Sequence, residues 1–171
     1  MARSTCPMCR EEHWRLGRQR VLDALTAAPR RLAASLRRAR GPRLRRRPAP
    51  REWSVVEVLA HLLDAEVALG FRVRKAAAEP GSVLSPWDQD RWMAGLRHRR
   101  AEARPTLAAF AAFRADTVAL VRRLTPAQRR APARHAEYGR LRVDQMLAHV
   151  AEHDLNHLQQ IQTTLKTLAG R

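Results

Sequence analysis

Three histidines near the carboxyl end of the chain, His149, His153 and His157, are spaced four residues apart. They lie between Val143 and Leu168 in a run without glycine or proline, so the spacing predicts that they share one stripe of a helix. Imidazoles four residues apart can bind one metal ion together, and the best candidate for a third ligand is His61. A histidine on a helix face is more often a packed side chain than a ligand, so the spacing alone leaves both interpretations open.

The two cysteines form a lone Cys-x-x-Cys pair, Cys6 and Cys9, and this count excludes a disulfide framework. The pair could be half of a zinc site with His13 as a further ligand, a redox pair, or two thiols on a short N-terminal tail. A redox pair of the thioredoxin type would need a preceding strand, which the sequence lacks. The position favours the tail.

The composition indicates a globular protein of one domain, because 171 residues with 45% apolar content can bury a sizeable core. No apolar run reaches the ~18 residues of a membrane span. The first thirty residues carry charges throughout and show no secretory signal, so we expect a cytoplasmic protein.

The formal net charge is +17, from 33 basic and 16 acidic residues. The basic residues are nearly all arginines, densest in the run from Arg37 to Arg47, and such charge can attract a polyanion. An arginine- and alanine-biased genome would produce the same composition. The run has no interleaved aromatic residues, as a single-strand stacking surface would need, and this disfavours nucleic acid as the partner.

The pattern of apolar residues predicts four long helices. The first covers about residues 14–40, is kinked or broken at Pro29, and ends at Gly41-Pro42. Ser54 and Glu57 form a capping box that opens the second helix, which carries His61 and runs to about Ala78.

A long connection, residues 80–103, follows the second helix; such loops often cover a site, and it is expected to hold a short helix near residues 88–97. Pro105 opens the third helix, which runs to about Leu124, and Thr125 caps a short helix after it. Residues 131–141 are rich in turn residues, and the last helix covers about residues 143–168. With no convincing strand, the predicted fold is an all-α four-helix bundle over residues 14–171, preceded by a tail of residues 1–13.

Two segments of this sequence resemble the DinB/YfiT-like superfamily. The second helix, from Trp53-Ser54 to Glu66, matches the pattern W-S-x-x-E-x-L-x-H-L-x-D-x-E. The last helix resembles the closing helix of that superfamily in His149, in His153-Asp154-Leu155-Asn156-His157 and in Gln160-Ile161. The Cys-x-x-Cys tail and the arginine run lie outside the family pattern.

The resemblance implies an up-down-down-up bundle that holds a divalent metal, zinc or nickel, through His61, His153 and His157. It implies that His149 is a core residue or a partner of the ligands. Three neutral imidazoles leave a position for water or substrate, as in a catalytic site. Asp64, three residues after His61, could hydrogen-bond a ligand imidazole or balance nearby arginines, and Asp64 or Glu66 could orient a ligand or take a proton.

The resemblance also suggests functions. Members of the superfamily include S-transferases that use low-molecular-weight thiols such as bacillithiol or mycothiol, so a metal-dependent, thiol-dependent transferase of a small-molecule substrate is the first hypothesis. A hydrolase that uses the same ligands to activate water is the second. A non-catalytic bundle that binds metal, or a partner through its basic surface, is the third. Bundles of this type often pair through helix faces, so we also expect a homodimer.

Overall fold

A computed structural model of the chain describes residues 3–5, 12–14, 18–37, 39, 41–136 and 138–170, with only the backbone of residues 3–5, 12–14 and 18. Cys6 and Cys9 lie outside these residues, as does the side chain of His13. The expectation that no strand precedes the cysteines is wrong, because residues Arg3–Thr5 form a short strand. The interpretations of the Cys-x-x-Cys pair, and the division at residue 14, stay predictions.

Four long helices dominate the described residues, as predicted, and short helices connect them. In chain order the helices are α1 (Arg18–Leu36), α2 (Gly41–Arg45), α3 (Val55–Ala78), α4 (Gln89–Gly95), α5 (Ala103–Arg123), α6 (Pro126–Arg129) and α7 (Val143–Ala169). Helices α1 and α3 each pack against both α5 and α7, which closes a four-helix bundle. None of the described helices is long and apolar enough to cross a membrane.

The expectation of a chain without strands is wrong, because short strands border the bundle. They are β1 (Arg3–Thr5), β2 (Glu12–Trp14), β3 (Val83–Leu84), β4 (Pro132–His135) and β5 (Gly139–Arg142). Strand β1 pairs antiparallel with β2, β3 pairs parallel with β4, and β4 pairs antiparallel with β5. Strands of two to four residues are too short for an alternating pattern to be visible in sequence.

Two prolines lie inside helices. Of the two alternatives predicted at Pro29, a kink or a break, the break is absent, because α1 continues through Pro29 with Leu25 and Leu32 fully buried on either side. Gly41 and Pro42 do not merely end the first helix but begin α2. A proline is tolerated in a first turn, because the amide groups there have no partner within the helix.

The start of α3 is fixed by the predicted capping box. The Ser54 backbone amide donates to the Glu57 carboxylate at 2.9 Å, and the Ser54 hydroxyl accepts from the Glu57 amide at 3.4 Å. Arg47 also pairs with Glu57. Burial raises the pKa of the Glu57 carboxyl, but the bonds from Arg47 and Ser54 outweigh it and hold that pKa below its usual value. The helix therefore begins where the sequence indicates, with His61 in its second turn.

The bundle interior divides into two apolar clusters. On α3, the first cluster contains buried apolar residues from Val55 to Leu62, and the second contains buried apolar residues from Ala65 to Ala77. Phe110 belongs to the first cluster and Val118 to the second, so α5 shows the same division. Three buried charged residues lie near this division: Glu66 on α3, Arg114 on α5 and Asp154 on α7.

Candidate metal centre

The side chains of His61, His153 and His157 meet between α3 and α7. The Nε2 atoms of His61 and His153 are 3.0 Å apart, and those of His153 and His157 are 3.2 Å apart. One ligand nitrogen from each residue lies within 4.8 Å of the other two. His61 is buried, whereas His153 and His157 are half-buried, so the group has an inner wall and a more open side.

Gln160 orients His157. The Nδ1 atom of His157 lies 2.7 Å from the Oε1 atom of Gln160, one turn further along α7. Since the amide oxygen can only accept, Nδ1 carries the proton and donates it. The Nε2 atom, which faces His153, then carries the lone pair that a metal ligand requires.

The protein environment keeps two of these imidazoles neutral. Burial, followed by the charges that His157 and His98 would carry, lowers the pKa of His61 to about 3. Burial lowers the pKa of His153 well below its usual value, and the neighbouring His157, His61, His149 and Arg114 lower it further. Neutral imidazole is the form that binds a metal, so both ligands are ready at neutral pH.

The donor set fits a divalent ion. Ligands bonded at 2.0–2.1 Å to a tetrahedral ion stand about 3.3 Å from one another, close to the 3.0 and 3.2 Å that separate the Nε2 atom of His153 from those of His61 and His157. The Nε2 atom of His153 faces two other ring nitrogens and can donate to only one of them. Among the described residues, the buried Nδ1 atom of His153 has no hydrogen-bond partner. If the proton resides on Nδ1, the Nε2 lone pair of His153 points at its two neighbours, an arrangement that a shared cation stabilises.

The long connection after α3 covers His61, as predicted. Trp87 from this connection stacks on the His61 imidazole, with ring centroids 5.6 Å apart and an angle of 14° between planes. Trp53 approaches the same ring at 5.0 Å. Arg72 on α3 donates two hydrogen bonds to the Ser85 carbonyl, at 2.6 and 3.2 Å, and so holds the segment that carries Trp87.

A buried guanidinium ties together the helices that carry the histidines. Arg114 on α5 donates to Glu66 on α3 from Nε at 2.8 Å and pairs with Asp154 on α7. Burial lowers the pKa of Arg114, but the two carboxylates outweigh it and raise that pKa above its usual value. Asp154 immediately follows His153, so the network fixes α7 beside the metal-ligand candidates. The sequence offered one signal for it: Arg114 occupies a core position between Phe110 and Val118.

The two predicted acid–base candidates have different surroundings. Asp64 accepts a hydrogen bond from the Nε2 atom of His98, in a single 3₁₀ turn (His98–Arg100) of the long connection. His98 is close enough to His61 for its charge to lower the pKa of His61. Glu66 instead bonds the buried Arg114, through its Oε2 atom.

His149 lies beside the three histidines without joining them. Its ring centroid is 5.9 Å from that of His153, with an angle of 41° between the ring planes. The three-nitrogen group comprises His61, His153 and His157 alone among the described residues. The expectation that His149 is a core residue or a partner of the ligands stays a prediction.

Comparison with known proteins gives one family and one fold. The sequence profile of the DinB superfamily matches residues 24–161. A protein of Oceanobacillus iheyensis, named "Putative metal-dependent hydrolase", is 26% identical over 114 residues, which cover 67% of this chain and 66% of that protein. The chain thus spans just under two thirds of the length of that relative.

The structure of YfiT from Bacillus subtilis superimposes with a TM-score of 0.83 at 18% identity, covering 93% of each chain. YfiT is described as "a probable metal-dependent hydrolase with an unusual four-helix bundle topology". The likeness confirms the predicted bundle and its topology.

Proposed function

The chain belongs to the DinB superfamily, and from that premise we propose that it is a divalent-metal-dependent enzyme whose metal is held by His61, His153 and His157. The observation that carries the proposal is the convergence of three imidazole nitrogens within 4.8 Å at a half-buried position. When bound, a zinc or nickel ion with three imidazole ligands lowers the pKa of water or of a thiol and supplies a nucleophile near neutral pH.

The residues around the ion have separate roles in this proposal. Gln160 sets the tautomer of His157, and Trp53 and Trp87 exclude water from the inner side of His61. Asp64 holds the Nε2 atom of His98, so the Nδ1 atom of His98 is free of that bond and can exchange a proton with a substrate. Glu66 is a positioning residue, because its Oε2 atom pairs with Arg114, which joins α3 to α7.

Hydrolysis of a small-molecule substrate is the reaction we favour. Two proteins similar to this chain carry the description of a metal-dependent hydrolase. Hydrolysis needs only water besides the substrate, and the half-buried His153 and His157 leave a side of the site open to it.

A thiol-dependent S-transferase is the second candidate. The resemblance in the second and last helices supports it, and it uses the same three ligands. The wall built from Trp53 and Trp87 would also shield a thiolate from water. In this candidate a low-molecular-weight thiol supplies the nucleophile, since no cysteine is among the described residues around the three histidines.

One pair of assays tests the enzyme and separates the two reactions. Zinc-loaded and nickel-loaded protein are assayed with a panel of p-nitrophenyl esters, and with cysteine plus 1-chloro-2,4-dinitrobenzene. Ester hydrolysis without thiol supports the hydrolase, and turnover only with thiol supports the transferase.

Two variants decide whether the histidines carry that turnover. The His153→Gln variant removes one ligand with a side chain of similar size. Asn156→Gln is the matched control, because Asn156 is exposed on the same helix, next to His157. We expect His153→Gln to lose at least about 100-fold in kcat/KM while the control keeps full activity. Turnover that is equal in both variants, or absent under every condition, would refute the proposal that the protein is an enzyme and would favour a non-catalytic bundle.

A further inference from the structure

A basic cavity lies against the same helix as His61. It has a volume of about 420 Å³, and its lining includes Glu57 on α3 and the arginines Arg97, Arg99 and Arg100 of the long connection. Glu57 and His61 are four residues apart, so they lie on one face of α3 about 6 Å apart along its axis. The cavity therefore approaches the histidine group from the start of α3.

The arginine segment is fixed in place rather than free. His98, inside the segment, bonds Asp64, which lies one turn after His61 on α3. Arg45 donates a hydrogen bond to the Arg99 carbonyl at 3.1 Å. Arg97 has the left-handed conformation, with φ 55° and ψ 44°, which is uncommon for a residue other than glycine. Such backbone strain persists where the surroundings hold it, and it is concentrated at functional sites.

The cavity carries uncompensated positive charge. Arg47, a member of the arginine run noted in the sequence, is neutralised by its pair with Glu57. In the described part of the chain, no carboxylate lies within ion-pair distance of Arg97, Arg99 or Arg100. Asp90 contributes one negative charge to the lining. Three unpaired guanidinium groups against one carboxylate leave a surplus of two positive charges.

We propose that this cavity binds the anionic group, a carboxylate or a phosphate, of the small molecule that occupies the metal centre. The inference rests on the proposed function, because it assigns the substrate class of that site. Guanidinium groups bind carboxylates and phosphates through charge-assisted, often bidentate, hydrogen bonds. A cavity of about 420 Å³ suits a small ligand, and the hydrogen bond from His98 to Asp64 links the arginines to the helix that carries His61.

Calorimetric titration with succinate and with inorganic phosphate, at constant ionic strength, tests the proposal and distinguishes the two anions. The test variant is Arg97→Gln with Arg100→Gln. The control is Arg122→Gln with Arg123→Gln, which removes the same formal charge from exposed positions at the far end of α5. That end is about 30 Å along the helix from Ala103, roughly three Debye lengths at 0.1 M salt.

We expect at least one anion to bind, the test variant to weaken it about tenfold or more, and the control to stay within about twofold of the wild type. Equal weakening in both variants would show a diffuse field and overturn the proposal. So would the absence of binding at millimolar anion, or binding of a DNA duplex that depends on Arg97 and Arg100 without binding of either small anion.

The same titrations on metal-free, zinc-loaded and His153→Gln protein separate this proposal from the metal site. Anion binding that depends on Arg97 and Arg100 in all three samples supports the cavity even if no metal is retained. If zinc-loaded protein is active but its anion affinity is unchanged by substitution of these arginines, the proposed function stands and the proposal that the cavity binds the anion is refuted.

Discussion

Arg114→Met is the substitution that tests how the bundle positions its candidate site. The Arg114 side chain is 2% exposed, and its partners Glu66 and Asp154 are 1% and 4% exposed. The substitution keeps an apolar chain of similar length but leaves two carboxylates buried without a partner. Removing one member of a buried ion pair costs about 3–5 kcal/mol. Since 1 kcal/mol shifts Tm by about 2–4 °C in a protein of this size, we expect a loss of about 6–20 °C.

The pH dependence of that loss identifies its cause. Burial already raises the pKa of Asp154 in the wild type, and without Arg114 the opposing attraction disappears. A carboxyl whose pKa is higher in the folded state than in the unfolded state destabilises the fold as pH rises above the unfolded pKa of about 4. Thermal unfolding followed by circular dichroism should therefore show a larger deficit at pH 8 than at pH 5.

Two further variants complete the experiment. Arg123→Met, exposed on the same helix, should change the free energy of unfolding by less than about 0.5 kcal/mol. The triple variant Glu66→Met, Arg114→Met, Asp154→Leu replaces the whole network by apolar residues and should recover most of the loss, as replacement of buried ion pairs often does. A Tm for Arg114→Met within about 2 °C of the wild type at pH 8 would refute the reasoning.

Three other predictions follow from the same contacts. Ser54→Ala removes the cap of α3 and should lower the free energy of unfolding by about 1 kcal/mol in denaturant titration. Ser54→Thr should keep most of that free energy, because its hydroxyl can still accept from the Glu57 amide and donate to the Glu57 carboxylate. Equal stability of all three proteins would contradict the cap. The metal-free protein should be less stable at pH 5 than at pH 7.5. The pKa of His61 is about 3 in the folded protein, so below a pH of about 6.5 only the unfolded protein takes up a proton at His61. Tm values that do not fall on acidification would count against this. Asp64→Asn should lower kcat while the protein retains its metal, since Asp64 bonds His98 rather than a candidate ligand. Turnover and zinc content are measured on the same sample. Loss of zinc together with turnover would instead place Asp64 among the groups that hold the metal site.

Local signals made the elements that carry the histidines predictable. Ser54 and Glu57 mark the start of α3, and the structure places that start at Val55 and the end at Ala78, as expected. The run without glycine or proline predicted the last helix over residues 143–168, and α7 ends one residue later, at Ala169. The spacing of four placed His153 and His157 together. His61 was the candidate for a third ligand before the family resemblance, which then matched it to the same site.

The parts that the sequence did not reveal depend on tertiary contacts. Pro29 is accommodated because packing on both sides outweighs one lost hydrogen bond, which propensity alone cannot show. The pairing of Arg114 with Glu66 and Asp154 joins three helices. The spacing of Arg114 between Phe110 and Val118 indicates burial, but nothing local shows which carboxylates it meets. The approach of His98 to Asp64 depends on the path of a long connection, for which the sequence gave only the expectation of a cover.

The metal content of purified, untagged protein tests the central claim most directly. Elemental analysis would compare the wild type with the double variant His153→Gln, His157→Gln and with the control Asn156→Gln. We predict about one equivalent of zinc or nickel per chain in the wild type and the control, and a loss of it in the double variant. Protein that neither retains nor takes up either metal, or a double variant that binds as much as the wild type, would contradict the assignment of these histidines as ligands.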